Sequence, residues 1–551
     1  MPDTTTVGRY LVERLKQVGV NHVFGVPGDY VLTFMDRILE GGLDLVGTCN
    51  ELNAAYAADA YARVNGIGAV CVTYGVGSFS ALNGVAGAFA EQVPLIMISG
   101  GPRTDLRHPS MLLHHSLGDL DVLAKVYENV TVLTTVLHDP EQATDQIDAA
   151  LEACLREKRP VAIEIPVDVV DHPCPAPGAF TFPDPPASDP DALEEALGEI
   201  SAMLGAAKQP AILAGIELHR FGLLEPFDAL VEKSGMPVAS TLLGKTVISE
   251  LHPQAIGVYE GAISRPEVRE AIEEADVLLC LGAWMSDINL GIYTARLDDL
   301  RMVTANSGSV RVRHHVYDPV SLGDLVTGLT ERLPESGVGR GAFVPASQAL
   351  DHSITIKPDA EITVKRLFSR INELISDSSI VIADAGDALF SASDLVMHRD
   401  VGFLGQAFYL SIGFTLPATL GAQLAAPDRR VMTFIGDGAF QMTVQELSTI
   451  IRKDLNPIIF VLNNNGYTAE RMIHEGPYND IQGWQNHLLP EAFGGGWGVR
   501  VQTEGELEAA LQTAFGLDDR PALIEVMLDQ HDVSDQLKRL GAELAPKSDK
   551  A

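Results

Sequence analysis

The chain has 551 residues, 46% of them hydrophobic and 21% charged, with a formal net charge of −35 at pH 7. That length suits roughly three to four domains of ~100–200 residues, and such acidity without a basic stripe argues against nucleic acid as a partner. Five cysteines (Cys49, Cys71, Cys154, Cys174, Cys280) stand far apart with no Cys-x-x-Cys, which argues against a metal cluster or disulfide framework and suits a reducing cytoplasm.

The first residues, MPDTTTVGRYLVERLKQVGV, read as a short polar lead and an amphipathic helix. There is no signal-peptide core and no apolar run of ~20 residues, so a cytoplasmic protein that does not enter a membrane is expected. Strand-like runs then alternate with helical stretches to the end, among them GAVCVTYG, PLIMISGG, PVAIEIPV, PAILAG, VLLCLGA, SIVIADAG, RVMTFIGDG, PIIFVLNN and PALIEVML. Each run is short, rich in β-branched residues and bounded by Gly, Pro or Asp, the pattern of buried parallel strands joined by helices. Two stretches break the rhythm and read as linkers: the Pro-rich residues 172–190 and the aperiodic residues 334–360. Three α/β domains of doubly wound parallel-sheet type are therefore predicted, at 1–172, 190–335 and 360–551. The first and third share a strand that ends in glycines before a helix, a hint of a duplicated fold.

Two turns in the third domain carry the most information. A hydrophobic strand delivers Gly436-Asp437-Gly438 to a helix start, and a second strand ends in Asn463-Asn464-Asn465-Gly466. Glycines admit close approach to a ligand, and the free N–H groups of a helix start suit a phosphate. Asp437 and Asn464 then sit at the carboxyl ends of neighbouring parallel strands, where open α/β sheets bind ligands. A carboxylate, an amide oxygen and the Gly466 carbonyl are hard oxygen ligands, apt for magnesium together with two phosphate oxygens and a water. Either turn alone is commonplace; the ordered combination is not.

The GDG turn followed by NN at this distance resembles the thiamine-diphosphate (ThDP) binding signature. Over nearly its whole length the chain is similar to the ThDP-dependent 2-oxo acid decarboxylases that act on pyruvate, indolepyruvate and phenylpyruvate. The matching segments are FGVPGDY, NELNAAYAADAYAR, LNGVAGAFAE, LLHHSLGD, GKTVISELHP, SDIN, SIGF and NGYTAERMIH. The resemblance implies a pyrimidine-binding domain, a Rossmann-like central domain and a diphosphate- and Mg2+-binding domain over the three ranges above. It implies ThDP and Mg2+ as cofactors, a small 2-oxo acid as substrate and an aldehyde as product. It also implies a homodimer with active sites at the interface, pairing into a tetramer.

Site residues carry over one by one. Glu51 is the carboxylate that hydrogen-bonds the aminopyrimidine and makes the cofactor its own base. Asp29, the adjacent His114 and His115, and Glu470 form the acid/base set that moves the proton needed after carbon dioxide leaves. Ile412 is the apolar prop that bends the cofactor. Thr73, Asn83, Gly436 and Gly438 line the cofactor cleft, while Asp437, Asn464 and Gly466 hold the metal. On their own, an Asp after Pro-Gly, a His pair and a core isoleucine are ordinary features. Adjacent histidines also diverge on any regular element.

Some segments depart from the family pattern. Tyr409-Leu410 replace a common Trp-Gly, Gly386-Asp387-Ala388 in AGDALF replaces a Gly-Thr-Ser and resembles the phenylpyruvate branch, and Ala469 replaces a bulky Ile before Glu470. These changes point away from pyruvate and toward branched or aromatic 2-oxo acids, with an ordinary pyruvate decarboxylase as the alternative. An acetolactate synthase-like carboligase would share Glu51 and the GDG–NN turns but lack the His pair and Glu470. Gly244-Lys245-Thr246 suggests a phosphate loop, but Ala239 stands where that motif needs its first Gly.

Overall fold

A computed structural model describes residues 4–108, 111–339, 342–350, 353–399 and 402–548. The N-terminal sheet has six parallel strands: β1 (His22–Gly25), β2 (Asp44–Gly47), β3 (Gly68–Val72), β4 (Leu95–Gly101), β5 (Leu133–Val136) and β6 (Val161–Pro166). Their order is β2-β1-β3-β4-β6-β5. Every residue of β3, β4 and β6 is buried, as expected of apolar runs with helices on both faces.

The central sheet contains β7 (Pro210–Ala214), β8 (Val238–Ser240), β9 (Ala255–Val258), β10 (Val277–Leu281), β11 (Met302–Ala305), β12 (Val310–Val312) and β13 (His315–Tyr317). The first five are parallel in the order β9-β8-β7-β10-β11, the 3-2-1-4-5 order of a Rossmann sheet, and β12 and β13 add an antiparallel edge.

The C-terminal sheet has β14 (Ser379–Ala383), β15 (Gly402–Leu404), β16 (Arg430–Gly436), β17 (Ile458–Asn463), β18 (Trp497–Val501) and β19 (Ala522–Met527). All are parallel, in the order β15-β14-β16-β17-β19-β18. Position for position this is the order of the N-terminal sheet, so the shared strand–glycine–helix layout reflects the same topology used twice. In both sheets the order reverses beside the first strand, between β1 and β3 and between β14 and β16. A crevice opens there at the carboxyl ends of the strands.

The N- and C-terminal sheets meet through helices. The Ala-rich α1 (Glu51–Asn65) packs on α2 (Val76–Ala90) and on α3 (Thr415–Ala425). The approach to α3 is close enough that a Cβ on Gly421 would fall 1.9 Å from the Ala57 carbonyl oxygen. Asn53 Nδ2 also donates to Glu446 Oε2 at 2.8 Å, with both residues fully buried.

Lys245, from the rejected phosphate-loop segment, is a domain tie. Its Nζ donates to both Glu250 oxygens at 2.6 and 2.7 Å and to the Ser393 and Leu395 carbonyls. Two details differ from the sequence reading. Pro173–Pro175, inside the first predicted linker, forms a short antiparallel ribbon with Thr4–Thr6. The helix after the GDG turn is broken into Asp437–Thr443, a 3-10 turn Val444–Glu446 and Leu447–Arg452, where Thr443 Oγ1 donates to the Gly413 carbonyl instead of facing solvent.

Candidate active site

At the N-terminal crevice, β1 runs into Val26-Pro27-Gly28-Asp29 and β3 into Thr73-Tyr74-Gly75. A Cβ on Gly28 would lie 2.4 Å from Thr73 Cβ, so only glycine lets these two turns touch. Asp29 Oδ2 is 2.6 Å from His114 Nε2. Tyr30 stacks on the His114 ring at 4.7 Å between centroids, and the His115 ring lies 4.8 Å from that of His114. The two histidines do not diverge, because they sit on an irregular loop. His115 takes a left-handed φ of 65°, and its carbonyl presses on Gly75, where a Cβ would lie only 2.0 Å away. Burial pushes the Asp29 carboxyl up, but the hydrogen bond from His114 and the charges of both histidines outweigh it, leaving Asp29 below the usual carboxylate range. Arg107 anchors the loop through Glu164 (2.6 Å) and Asp121 (3.0 Å).

Glu51 is the first residue of α1, capped by Asn50, whose Oδ1 accepts from Asn53 N at 2.8 Å. It faces the same crevice: a Cβ on Gly77 would lie 3.3 Å from Glu51 Oε1 and 3.1 Å from Thr73 Cγ2. Thr73 Oγ1 and His115 Nδ1 are buried without a hydrogen-bond partner. Unpaired buried polar atoms on one crevice mark a place where a polar ligand is received.

At the C-terminal crevice a cavity of about 440 Å³ is lined by Ile412, Gly436, Gly438, Asn464, Gly466, Ala469 and Glu470, with Ala385–Phe390 and several leucines and isoleucines. Asp437 opens α4 (Asp437–Thr443) and is 2% exposed. Burial pushes its pKa up to about 7, against the pull of the Gly438, Asn465 and Gly466 amides. Asn464 Oδ1 is buried with no partner. The turn beyond it passes through Asn465 at φ 59° and Gly466 at φ 147°, and a Cβ on Gly466 would strike the Asn479 carbonyl at 2.1 Å. A desolvated carboxylate beside an unpaired amide oxygen fits a hard divalent cation.

Ile412 is aimed by Asp384, a fully buried carboxylate that accepts from Gly413 N at 3.1 Å and Thr415 N at 3.1 Å. Glu470 lies in the first turn of α5 (Thr468–Ile473), exposed along the cavity. Asp387 Oδ1 and Oδ2 accept from Ser534 N at 3.1 Å, tying the cavity wall to α6 (Asp535–Ser548), whose Leu537 and Leu540 also line it.

Residues 5–124 match the family described as thiamine pyrophosphate enzyme, N-terminal TPP binding domain. Residues 197–325 match its central domain and 384–526 its C-terminal TPP binding domain. The alpha-keto-acid decarboxylase of Mycolicibacterium paratuberculosis is 38% identical over 549 residues, covering 98% of this chain and 97% of its own length. That of Mycobacterium avium is 38% identical over 550 residues at the same coverage. The chain belongs to the ThDP-dependent 2-oxo acid decarboxylase family. That of Mycobacterium bovis, 37% identical over 548 residues, spans 98% of this chain as well.

The residues that the decarboxylase resemblance singled out fall into two groups. Asp29, Glu51, Thr73, His114 and His115 gather at the N-terminal crevice. Ile412, Gly436, Asp437, Gly438, Asn464, Gly466 and Glu470 gather at the C-terminal one. None of the first group lines the C-terminal cavity of the same chain. Asn83 lies between them: its Nδ2 donates to Tyr56 Oη at 2.8 Å and to Ser411 Oγ at 3.2 Å, and it accepts from Tyr409 Oη at 2.9 Å.

Three contributors escaped the sequence reading. Tyr30 is adjacent to Asp29 and was visible as the Tyr of VPGDY. Asp384 directly follows β14 at the switch point, a signal that strand order alone supplies. Asp387 stood out only as a departure from the family pattern.

Proposed function

We propose that the chain is a non-oxidative 2-oxo acid decarboxylase that releases carbon dioxide and an aldehyde, with Mg2+ and ThDP held at the crevices of two different subunits. Bound ThDP would supply a nucleophilic carbon toward the 2-oxo group and a cationic thiazolium ring as the sink for the electron pair left when carbon dioxide departs. The single observation that carries the metal reading is Asn464 Oδ1, buried and unpaired beside the desolvated Asp437 carboxylate. Asp437, Asn464 and the Gly466 carbonyl would hold the metal, and the start of α4 would meet the diphosphate. Ile412, Gly436 and Gly438 line the cleft beside it. Residues 1–172 would bind the pyrimidine, 190–335 form the Rossmann-like middle and 360–551 bind the diphosphate.

Within this reading Glu51 holds a proton against the aminopyrimidine, with Thr73 and Asn83 beside the ring. The Asp29–His114 pair, with His115, relays a proton to the product carbon. Glu470 sits at the cavity side of that path and assists aldehyde release. The reading requires a second subunit, because one chain keeps Glu51 and Asp29 apart from the cavity of Asp437 and Glu470. The exposed Leu112 (91%) and Leu117 (70%) flank the histidines and suit burial by a partner. The reading is of a cytoplasmic homodimer that pairs into a tetramer. No helix among the described residues is long and apolar enough to cross a membrane.

The preferred substrates are branched or aromatic 2-oxo acids. Ala469, beside Glu470, leaves room that an isoleucine would fill, and the surrounding wall of Ile288, Ile292, Phe390, Ile473, Leu537 and Leu540 is apolar. Turnover of pyruvate, 2-oxoisovalerate, phenylpyruvate, indolepyruvate and benzoylformate, with aldehyde read through a coupled alcohol dehydrogenase, tests this. The expected result is higher kcat/KM for the larger acids. A tenfold or greater preference for pyruvate over both phenylpyruvate and 2-oxoisovalerate would instead identify an ordinary pyruvate decarboxylase.

A further inference from the structure

A charged residue is out of place in the middle of a buried strand. Glu525 lies on β19, flanked by β17 and β18, with Val461 and Arg500 as its strand partners, and is 0% exposed. Its carboxylate collects donors from four residues: Asn463 Nδ2 at 2.7 Å, Asn486 Nδ2 at 3.2 Å, His487 Nδ1 at 2.6 Å and N at 3.3 Å, and Arg500 Nε at 3.0 Å. A buried carboxylate is tolerated only when so satisfied, and an apolar residue there would cost less. Its retention asks for a role beyond packing.

One of the four donors leads to the metal turn. Asn463 is the last residue of β17, directly before Asn464. Its Nδ2 is spent on Glu525, so its Oδ1 faces the other way and accepts the Asn465 N–H at 3.3 Å. A carboxylate accepts only, so Glu525 fixes which end of the Asn463 amide points into the turn. That matters because Asn465 holds a left-handed φ of 59°, a conformation a non-glycine residue keeps only when its surroundings enforce it. Asn465 stands between Asn464 and Gly466, and the backbone amides of Asn465 and Gly466 reach the Asp437 carboxylate, so holding Asn465 holds the whole turn against Asp437.

We propose that Glu525 is a positioning residue for the metal: through Asn463 it sets the 463–466 turn and thereby the Mg2+ affinity, without touching cofactor or substrate. The proposal rests on the metal reading given above. It predicts a graded loss of metal affinity in place of a loss of chemistry.

The test measures the Mg2+ dependence of ThDP binding to the full-length apo-protein by tryptophan fluorescence, alongside apo-protein melting and substrate KM at saturating cofactor. Glu525→Gln and Asn463→Ala should each raise the Mg2+ half-saturation by ~10–100-fold, as loss of an outer partner of a metal ligand does. Substrate KM at saturating Mg2+ and ThDP should stay within about twofold. Asn486→Ala removes a donor from the same carboxylate but leaves the turn alone, and should shift the metal dependence by less than about twofold. Asn463→Ala leaves Glu525 its other donors and so decides the matter even if Glu525→Gln does not fold. Wild-type metal dependence in Asn463→Ala, or an equal shift in Asn486→Ala, overturns the positioning role. Asp437→Ala in parallel separates the two levels: if that variant keeps wild-type Mg2+ dependence, the metal reading itself fails.

Discussion

The N-terminal and C-terminal sheets run through one strand order, yet their crevices carry different sets of residues. In the N-terminal half the loops after β1 and β4 bring a carboxylate, a tyrosine and two histidines into one cluster, with Thr73 Oγ1 after β3 and His115 Nδ1 left unpaired. In the C-terminal half the loops after β16 and β17 offer a buried carboxylate and an unpaired amide oxygen beside an open cavity. The scaffold fixes where a ligand is met, and the few residues after each strand decide what is done to it. The halves are complementary in the proposed reading: the first groups the residues proposed to carry protons, and the second offers the cavity of about 440 Å³ with Glu470 on its wall.

The largest effect expected from this comparison is Asp437→Ala. On the proposed metal reading the site loses its one charged ligand, so the variant should retain no ThDP after gel filtration in Mg2+ buffer. Cofactor retention at the wild-type level would break the assignment of metal binding to the C-terminal half. Glu51→Gln should retain ThDP but lose ~10²–10⁴-fold in activity.

In the proposed roles, Glu51 and Glu470 separate early from late chemistry across the same divide. Hydrogen–deuterium exchange at the thiazolium carbon, followed by NMR, should be blocked in Glu51→Gln and near normal in Glu470→Gln, where acyloin by-products rise relative to aldehyde. Equal loss of exchange in both variants would erase that division of labour.

A smaller effect is expected at the cavity wall. Ala469 packs beside Phe390, Leu537 and Leu540. Ala469→Ile adds three carbons, roughly 2 kcal/mol of potential apolar contact, and should move the kcat/KM ratio toward pyruvate by about tenfold. Unchanged cofactor affinity checks that only the pocket has changed.

The finest comparison is between two glycines near matching helix starts. Gly438→Ala drives a Cβ to 2.5 Å from the Tyr467 ring, and should destabilise by about 1–3 kcal/mol in a melting assay. Gly77→Ala meets Glu51 and Thr73 at 3.3 and 3.1 Å. It should instead lower activity severalfold while shifting Tm by no more than about 2 °C. Reversed outcomes would mean that the N-terminal crevice is the rigid one.

Much of this was legible in the sequence for a physical reason. Buried parallel strands write themselves as short β-branched runs, and a GDG turn followed by an NN turn leaves few alternatives for Asp437 and Asn464. The hint of duplication needed strand order to become a finding, because β1 (HVFG) and β14 (SIVIA) share no residue pattern. The pairing of His114 with His115 was illegible, since it depends on a left-handed residue and on the contact with Gly75. Glu525 was equally hidden: in PALIEVML it looks like a misplaced surface charge, and only the neighbouring strands reveal its donors. Tertiary pairing, not local pattern, carries such information.

The central claim is that each site joins the N-terminal crevice of one subunit to the C-terminal crevice of another. Co-expressing Glu51→Gln and Asp437→Ala chains under different tags, and purifying the mixed species through both, tests it most directly. Each parent should be inactive. Each heterodimer should hold one intact site and one doubly impaired site, giving about a quarter to a half of wild-type activity. A mixed species as inactive as its parents, with both chains present by mass spectrometry, would contradict the shared site.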